Sequence, residues 1–310
     1  MKVLIVEDDA VSRRVLQVTL TKWGYHVVTA PNGLEAWQIL RQSDAPRMAI
    51  VDWVMPGMDG LELCREIRKM DDVPYIYTLL LTGKGSKEDV VEGMHAGADD
   101  YIRKPFDPGE LKVRLRAGKR ILDLQAELVA ARESLRYQAT HDSLTGLLNR
   151  GAILEVLRNE VEKTTRRKVG LSLVVADVDH FKKINDTYGH VVGDAVLCEA
   201  ARRMKNAVRS EDSVGRYGGE EFLIVLPGCS ADQAMGLSER LKSGITDQEV
   251  ELPGMSISFT ISLGVANAKG RQGEDAGHLV QAADRALYQA KNRGRNSIVL
   301  AEEPEDCLIR

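Results

Sequence analysis

Hydrophobic and polar positions follow two rhythms along this chain, and the change between them falls near residue 118. In the first stretch, short runs rich in apolar and β-branched residues recur at Val3–Val6, Ala49–Val51, Tyr75–Leu81 and Tyr101–Ile102, with a weaker run at His26–Thr29. Such runs suit strands buried on both faces of a parallel sheet. Between them, Val11–Trp23, Gly33–Arg41, Gly60–Met70 and Ser86–Ala96 carry apolar residues at helical spacing. Five strand–helix units over residues 1–118 predict a doubly wound α/β domain.

The segment that follows predicts a long helix. No proline interrupts it from Gly109 to about Tyr137, and Ile121, Leu124, Leu128, Ala131 and Leu135 recur in steps of three and four. That spacing is the seam of a short coiled coil over residues 119–139. It predicts either a helix packed on its own domain or a two-stranded parallel stalk, which would make the protein a homodimer. Thr140–Arg150 then reads as a loop, with Asp142 or Ser143 capping a helix that continues through Glu162. Leu171–Asp179 predicts a buried strand, Phe222–Leu226 and Ile257–Val265 two more, and Ile298–Leu300 a late edge strand. Strands and helices alternate less strictly here. Residues 140–310 are therefore expected to form a second α/β domain with a mixed, antiparallel-rich sheet.

Composition narrows the partners. The 310 residues fit about two domains. The net charge is −4, and division at Gly118 leaves −2 on each side. Neither part has the basic excess of a duplex-DNA reader, so no nucleic-acid partner is expected. Cys64, Cys198, Cys229 and Cys307 lie far apart without a CxxC pair, and are expected to be small buried hydrophobes in a reducing compartment. The apolar run after Met1 is too short for a signal core, and no stretch of about eighteen apolar residues occurs. A soluble, cytoplasmic protein without membrane contact is expected.

Polar groups collect at the carboxyl ends of the first domain's strands: Glu7, Asp8 and Asp9 after the first, Asp52 at the third, Thr82 at the fourth and Lys104 at the fifth. Ligands of doubly wound sheets bind outside those ends. Clustered carboxylates repel one another unless a divalent cation sits among them, and oxygen ligands suit Mg²⁺. A lysine and a hydroxyl beside them would hold a phosphoryl group. With VEDD, VDWVMPGMDG, LLLTG, GADDY and KPF in place, residues 1–118 resemble a response-regulator receiver domain of flavodoxin-like fold. The resemblance implies Asp52 as phospho-acceptor, serving a sensor histidine kinase. Asp8 and the carbonyl of Val54 would join Asp52 on Mg²⁺, with Glu7 supporting the ion through water. Thr82 and Lys104 would contact the phosphoryl oxygens, Tyr101 would rotate as a switch, and Lys104–Pro105 would be cis. Asp9 is one acid more than the usual pair, which leaves open which two of the three serve the metal.

The second domain carries a sharper motif, RYGGEEFLIVLP. Gly218 and Gly219 between two apolar strands signal a hairpin, whose tight form needs positive φ. Glu220 and Glu221 follow it, and Asp177 and Asp179 close the neighbouring strand. Two acid clusters in reach suit Mg²⁺ whose coordination a substrate's phosphates complete. Lys182 and Lys183 supply positive charge, Asn185 and Asp194 suit a guanine edge, and Gly189 and Gly193 permit close backbone approach. Lys291 and Arg295 form a second phosphate clamp. No GxxxxGK[ST] stretch is present.

Residues 140–301 resemble a GGDEF-family diguanylate cyclase domain in its GGEEF spelling, on THDSLTGLLNR, DVDHFKKINDTYGHVVGD, RYGGEEF, ISLGVA and ADRALYQAKNRGRN. The resemblance implies one GTP per domain, two domains face to face, and condensation to cyclic di-GMP with loss of two pyrophosphates. Asp177, the carbonyl of Val178 and Glu220 would hold Mg²⁺, with Glu221 near a second ion. Glu220 would also be the base for the ribose 3′-hydroxyl, and Lys182 would stabilise phosphate charge. Asn185 and Asp194 would read guanine, with Phe181 and His190 lining the site, while Lys291 and Arg295 would hold terminal phosphates. Arg209 and Asp212, with Arg240 in support, resemble the family's inhibitory product site. The expectation is a phosphorylation-activated diguanylate cyclase under product inhibition. The alternatives are a catalytically weak cyclic di-GMP effector and a phospho-dependent adaptor.

Overall fold

The computed structural model describes residues 1–70, 73–83, 87–167, 170–268 and 275–302. The chain divides into two compact units, Met1–Glu133 and Ser134–Arg310.

In the first unit the elements run β1 (Lys2–Val6), α1 (Ala10–Lys22), β2 (His26–Ala30), α2 (Gly33–Leu40), β3 (Met48–Asp52), α3 (Gly60–Arg68), β4 (Tyr77–Thr82), α4 (Lys87–His95) and β5 (Asp100–Arg103). The five strands form one parallel sheet in the order β2-β1-β3-β4-β5. Because β2 lies on one side of β1 and β3 on the other, strand order reverses at β1 and opens a crevice above β1 and β3. Every residue of β3 and β4 is buried, as the uninterrupted apolar runs predicted. Leu4 and Val51 face one core while Val3, Ile5 and Ile50 face the other. Side chains fix where the helices begin: Asp9 caps α1 through Ser12 N, Asn32 caps α2, and Asp59 forms a capping box with Glu62 on α3. Each such cap is worth about 1 kcal/mol. The start of the fourth helix, expected at Ser86, lies outside the described residues.

Helix α5 runs from Pro108 to Thr140. Its first part packs on the parallel sheet through Leu111, Leu115 and Leu122. Beyond that point Leu124, Leu128 and Leu135 are 54%, 64% and 65% exposed, so the apolar seam faces solvent in the single chain.

The second unit continues with α6 (Arg150–Arg167), β6 (Leu171–Val178), α7 (Phe181–Tyr188), α8 (His190–Ala207), β7 (Ser213–Arg216), β8 (Glu221–Pro227), α9 (Ala231–Thr246), β9 (Val250–Leu252), β10 (Met255–Ile257), β11 (Ile261–Ala268), α10 (Ala276–Asn292) and β12 (Ile298–Leu300). Its main sheet has the order β12-β11-β6-β8-β7 and is antiparallel except for the β11–β12 pair. Residues of β6 alternate between two cores, since strand side chains alternate faces. Val174, Ala176 and Val178 pack with α8 and α9, whereas Leu173 and Val175 pack with α6 and α10.

Two expectations are corrected here. Ile257–Val265 is not one strand: β10 ends at Ile257 and pairs with β9 in a separate two-stranded sheet, whereas β11 starts at Ile261 and pairs with β6 in the main sheet. Likewise, neither Asp142 nor Ser143 caps a helix. The Asp142 carboxylate closes a local turn onto Thr145, and Asn149 caps α6 by accepting from Ala152 N.

Candidate functional site

Four strand ends of the parallel sheet converge on one acidic pocket. Glu7, Asp8 and Asp52 each offer a carboxylate oxygen within 4.8 Å of the others. Asp9 is spent on capping α1, which answers the question its extra charge raised and leaves Glu7, Asp8 and Asp52 as the cluster. From the end of β5, Lys104 places its Nζ 2.7 Å from Glu7 Oε2 and 2.8 Å from Asp52 Oδ2. The Lys104–Pro105 peptide is cis. Burial pushes the Glu7 carboxyl above its ordinary range, against the pull of Lys104. Burial also works against the charge on Lys104, yet its hydrogen bonds to Asp52 and Glu7 raise its proton affinity on balance. Thr82 is buried at the end of β4, and Val54 is exposed just past Asp52. Tyr101 is half-buried, with the Arg114 guanidinium 5.5 Å above its ring. Arg114 is itself anchored by Asp100 and Glu110.

The second cluster lies at the end of β6. Register pairs Asp177 with Glu221 on β8 and with Ser262 on β11, and the Val178 amide donates to the Glu220 carbonyl at 3.2 Å. Asp177 is 4% exposed, and its Oδ2 receives Lys291 Nζ at 2.8 Å. Burial nonetheless holds the Asp177 carboxyl above its usual range, despite Lys291. Glu220 is raised too, first by burial and then by the charge of Asp177. Two carboxylates that each resist ionisation beside the other form a donor set that a divalent cation relieves.

The turn bearing these acids joins β7 and β8 as the expected antiparallel hairpin, but without the expected backbone conformation. Neither Gly218 nor Gly219 has positive φ. The loop closes instead by Tyr217 N and Gly218 N donating to the Glu221 carbonyl. At Gly218 the requirement is steric, since a Cβ there would stand 2.6 Å from Glu221 Oε2. Arg216 secures the turn from below. Its Nη2 and Nε donate to the Gly219 carbonyl at 2.7 and 3.1 Å, and its Nη1 donates to the Asp142 carboxylate at 3.1 Å. Sequence reasoning assigned nothing to Arg216 and made Asp142 a helix cap. An arginine directly before the Tyr-Gly-Gly was the available signal.

Asn185 on α7 has a buried side-chain oxygen without a hydrogen-bond partner. Gly193 on α8 permits this: a Cβ there would lie 1.9 Å from that oxygen and 3.2 Å from the Phe181 ring. Buried acceptors left unpaired are uncommon and costly, so this oxygen is placed for a donor that comes from outside the chain. Phe181 is buried, while Lys182 on α7 and His190 and Asp194 on α8 are exposed.

Asp179 does not join the acid cluster. Its carboxylate is 4% exposed and accepts from Ser262 Oγ at 2.6 Å, Thr260 Oγ1 at 2.7 Å and Asn296 N at 3.0 Å. The last bond ties down an unusual turn after α10, in which Gly294, Arg295 and Asn296 have φ of 108°, 68° and 43°. Left-handed backbone at a non-glycine residue costs about 1–3 kcal/mol. Arg295 on this turn is exposed.

Elsewhere, Asp212 is buried and accepts from the Arg209 backbone amide at 2.9 Å, which leaves the Arg209 side chain 71% exposed. Arg240 on α9 is also exposed. Burial raises the Cys229 thiol, and the charges of Asp212, Arg209 and Arg240 act on it more weakly. Cys64 is buried and Cys198 and Cys229 are half-buried, whereas Cys307 lies outside the described residues. No described helix is long and apolar enough to cross a membrane.

Comparison with known proteins bears on both clusters. The profile of the diguanylate cyclase GGDEF domain matches residues 139–297, just over half of the chain, and that of the response regulator receiver domain matches residues 3–116. The response regulator PleD of Caulobacter vibrioides is 33% identical over 257 residues, which cover 81% of this chain and 56% of PleD. The chain thus spans about half the length of that curated relative. Among solved structures, the coiled coil and GGDEF domain of DgcB from Caulobacter crescentus, in complex with c-di-GMP, matches with a TM-score of 0.56 at 29% identity, covering 62% of this chain and 99% of that one. The diguanylate cyclase SiaD from Pseudomonas aeruginosa, in complex with its activator SiaC, matches with a TM-score of 0.52 at 39% identity, covering 62% and 74%.

Proposed function

This chain belongs to the GGDEF family, with a receiver domain ahead of the GGDEF domain, and on that footing we propose that it condenses two GTP molecules into cyclic di-GMP under receiver control. The observation that carries the proposal is the meeting of Asp177, Glu220 and Lys291 at one strand end, in the same domain as the unpartnered Asn185 oxygen.

Each ribose 3′-hydroxyl attacks the α-phosphorus of the other GTP, so two phosphodiester bonds form and two pyrophosphates leave. Glu220 takes the hydroxyl proton, a role that suits a carboxylate whose proton affinity burial and Asp177 have raised. Asp177, Glu220 and the Val178 carbonyl would hold Mg²⁺, with Glu221 near a second ion, and the metal would supply positive charge at the reacting phosphates. Lys182 offsets phosphate charge, and Lys291 and Arg295 hold the terminal phosphates. Asn185 and Asp194 hydrogen-bond guanine, while Phe181 and His190 line its pocket. Catalysis of this kind rests on positioning and on cations at developing charge.

In the receiver, Asp52 accepts phosphate from a sensor histidine kinase. Asp8, Asp52 and the Val54 carbonyl would hold Mg²⁺ there, with Glu7 behind them; the carboxylate oxygens of Glu7, Asp8 and Asp52 cluster as a hard cation requires. Thr82 and Lys104 contact the phosphoryl group, and Tyr101 responds to it. The exposed seam of α5 pairs with a second copy, which brings two GTP-loaded domains together. Cyclic di-GMP binds Arg209, Asp212 and Arg240 and inhibits. The proposed domains are a receiver over 1–118, a helical stalk over 119–139 and a cyclase over 140–310.

Incubation with GTP and Mg²⁺, followed by nucleotide analysis with and without beryllofluoride, tests the proposal. Cyclic di-GMP that rises with beryllofluoride and vanishes in Glu220→Gln is expected. Absence of product from the active protein overturns the catalytic part, and a beryllofluoride-independent rate overturns the regulatory part.

A further inference from the structure

Two carboxylates two residues apart stand at the end of β6, one reaching the last turn of α10 and the other the segment that follows it. Asp177 receives Lys291, and Asp179 receives the Asn296 amide. The two tethers differ in kind. Asp177 faces a cation, whereas Asp179 has no cationic partner among the described residues and is satisfied by two hydroxyls and one backbone N–H. A buried carboxylate held only by neutral donors is costly unless all of them are aligned. The hydroxyls of Thr260 and Ser262 orient the carboxylate, and its Oδ2 accepts from Asn296 N as well as from Thr260. That bond fastens a turn whose three successive left-handed residues, Gly294, Arg295 and Asn296, would otherwise relax.

We propose that Asp179 is a positioning residue: its buried carboxylate holds the left-handed Gly294–Asn296 turn and thereby aims Arg295 at the terminal phosphates of GTP. The inference rests on the assignment of Arg295 to those phosphates. It also accounts for an acid beside the cluster whose carboxylate is taken up by hydroxyl and amide donors. Asp179 touches neither substrate nor metal; it acts through the backbone of Asn296.

The test compares Asp179→Asn and Arg295→Ala with the unaltered full chain, using equilibrium binding of the α,β-methylene analogue of GTP and of GMP. The asparagine amide keeps the side-chain volume but is neutral and has one acceptor oxygen in place of two, so the charge-assisted bond that holds the Asn296 amide weakens and the turn loosens. Loss of one charge-assisted contact to phosphate corresponds to about tenfold weaker binding. Both variants are expected to bind the triphosphate analogue about tenfold more weakly and GMP unchanged. Equal losses for both nucleotides in Asp179→Asn would assign the residue to folding alone and overturn the proposal. Normal analogue binding by Asp179→Asn with weakened binding by Arg295→Ala would overturn it and leave the phosphate assignment standing. Normal binding by Arg295→Ala would remove that assignment and the proposal with it. Hydrogen exchange on the unaltered protein serves if Asp179→Asn does not fold: the Asn296 amide is expected to be protected within its exposed turn, and free exchange there would refute the tether.

Discussion

Substitution of Gly193 by alanine separates nucleotide recognition from folding. A methyl at this position would stand 1.9 Å from Asn185 Oδ1, whereas a carbon–oxygen contact settles near about 3.3 Å, so the Asn185 oxygen must retreat by roughly 1.4 Å. Phe181 is 3.2 Å from the same methyl and needs to give only a few tenths of an ångström. Asn185 has free rotamers toward the open site, and alanine in a helix is favoured over glycine by about 0.5–1 kcal/mol. The two effects on stability oppose each other, and the melting temperature is expected to change little. Recognition has no such offset. A displacement near 1 Å at a positioning group can cost on the order of 10²-fold, so binding of the α,β-methylene analogue of GTP should weaken by about 10- to 100-fold. Calorimetric titration beside a thermal melt measures both quantities. Since Asn185 Oδ1 can only accept, the preference for the guanosine over the inosine analogue should shrink as well. A folded Gly193→Ala protein with wild-type affinity would refute the assignment of Asn185 to guanine.

Three further predictions address other parts of the chain. Arg216→Ala removes the cation from half-buried Asp142 and the donors from the Gly219 carbonyl, and is expected to cost about 1–3 kcal/mol in a denaturant melt and to lower kcat more than it raises KM. Because burial raises the Glu7 pKa in the folded chain, its stabilising contribution is complete below the ordinary glutamate pKa and is lost as pH rises through the window just above it. Melting temperatures should therefore fall with pH across that window without Mg²⁺ and fall less with it, and Glu7→Gln should flatten the trend; an identical slope in that variant contradicts the prediction. Leu124→Glu with Leu128→Glu replaces exposed seam residues, so melting should shift by about 0.5 kcal/mol or less per site while sedimentation with beryllofluoride shows monomer in place of dimer.

Elements whose burial follows from a simple period were legible before any coordinates. Strands β1, β3 and β4, buried on both faces, read as apolar runs, and the seam of α5 showed its steps of three and four. The acidic pocket was legible too, since strand ends gather at one edge of a doubly wound sheet. What escaped depended on where single polar atoms point. Asp142, Asp179 and Asp9 are equally acidic in sequence, yet one closes a turn and pairs with Arg216, one fastens a strained loop, and one caps a helix. The strand expected over 257–265 divides because its two parts pair in different sheets, β10 with β9 and β11 with β6. At Gly218 the sequence suggested a φ requirement, where the actual need is room for the Glu221 carboxylate.

The ion pair between Lys291 and Asp177 makes the cyclase cluster its own counter-charge. An ammonium 2.8 Å from a buried carboxylate must be displaced before a bare divalent cation can use that oxygen, and the displaced charge then loses its buried partner. A cation that arrives with a triphosphate brings the acceptor with it, because Lys291 can move from carboxylate to phosphate in the same event. Metal and nucleotide are then linked ligands, each strengthening the other's affinity by the same factor. Removal of the ammonium, as in Lys291→Met, dissolves that linkage: the protein would take up free Mg²⁺ more readily while the nucleotide gains less from it.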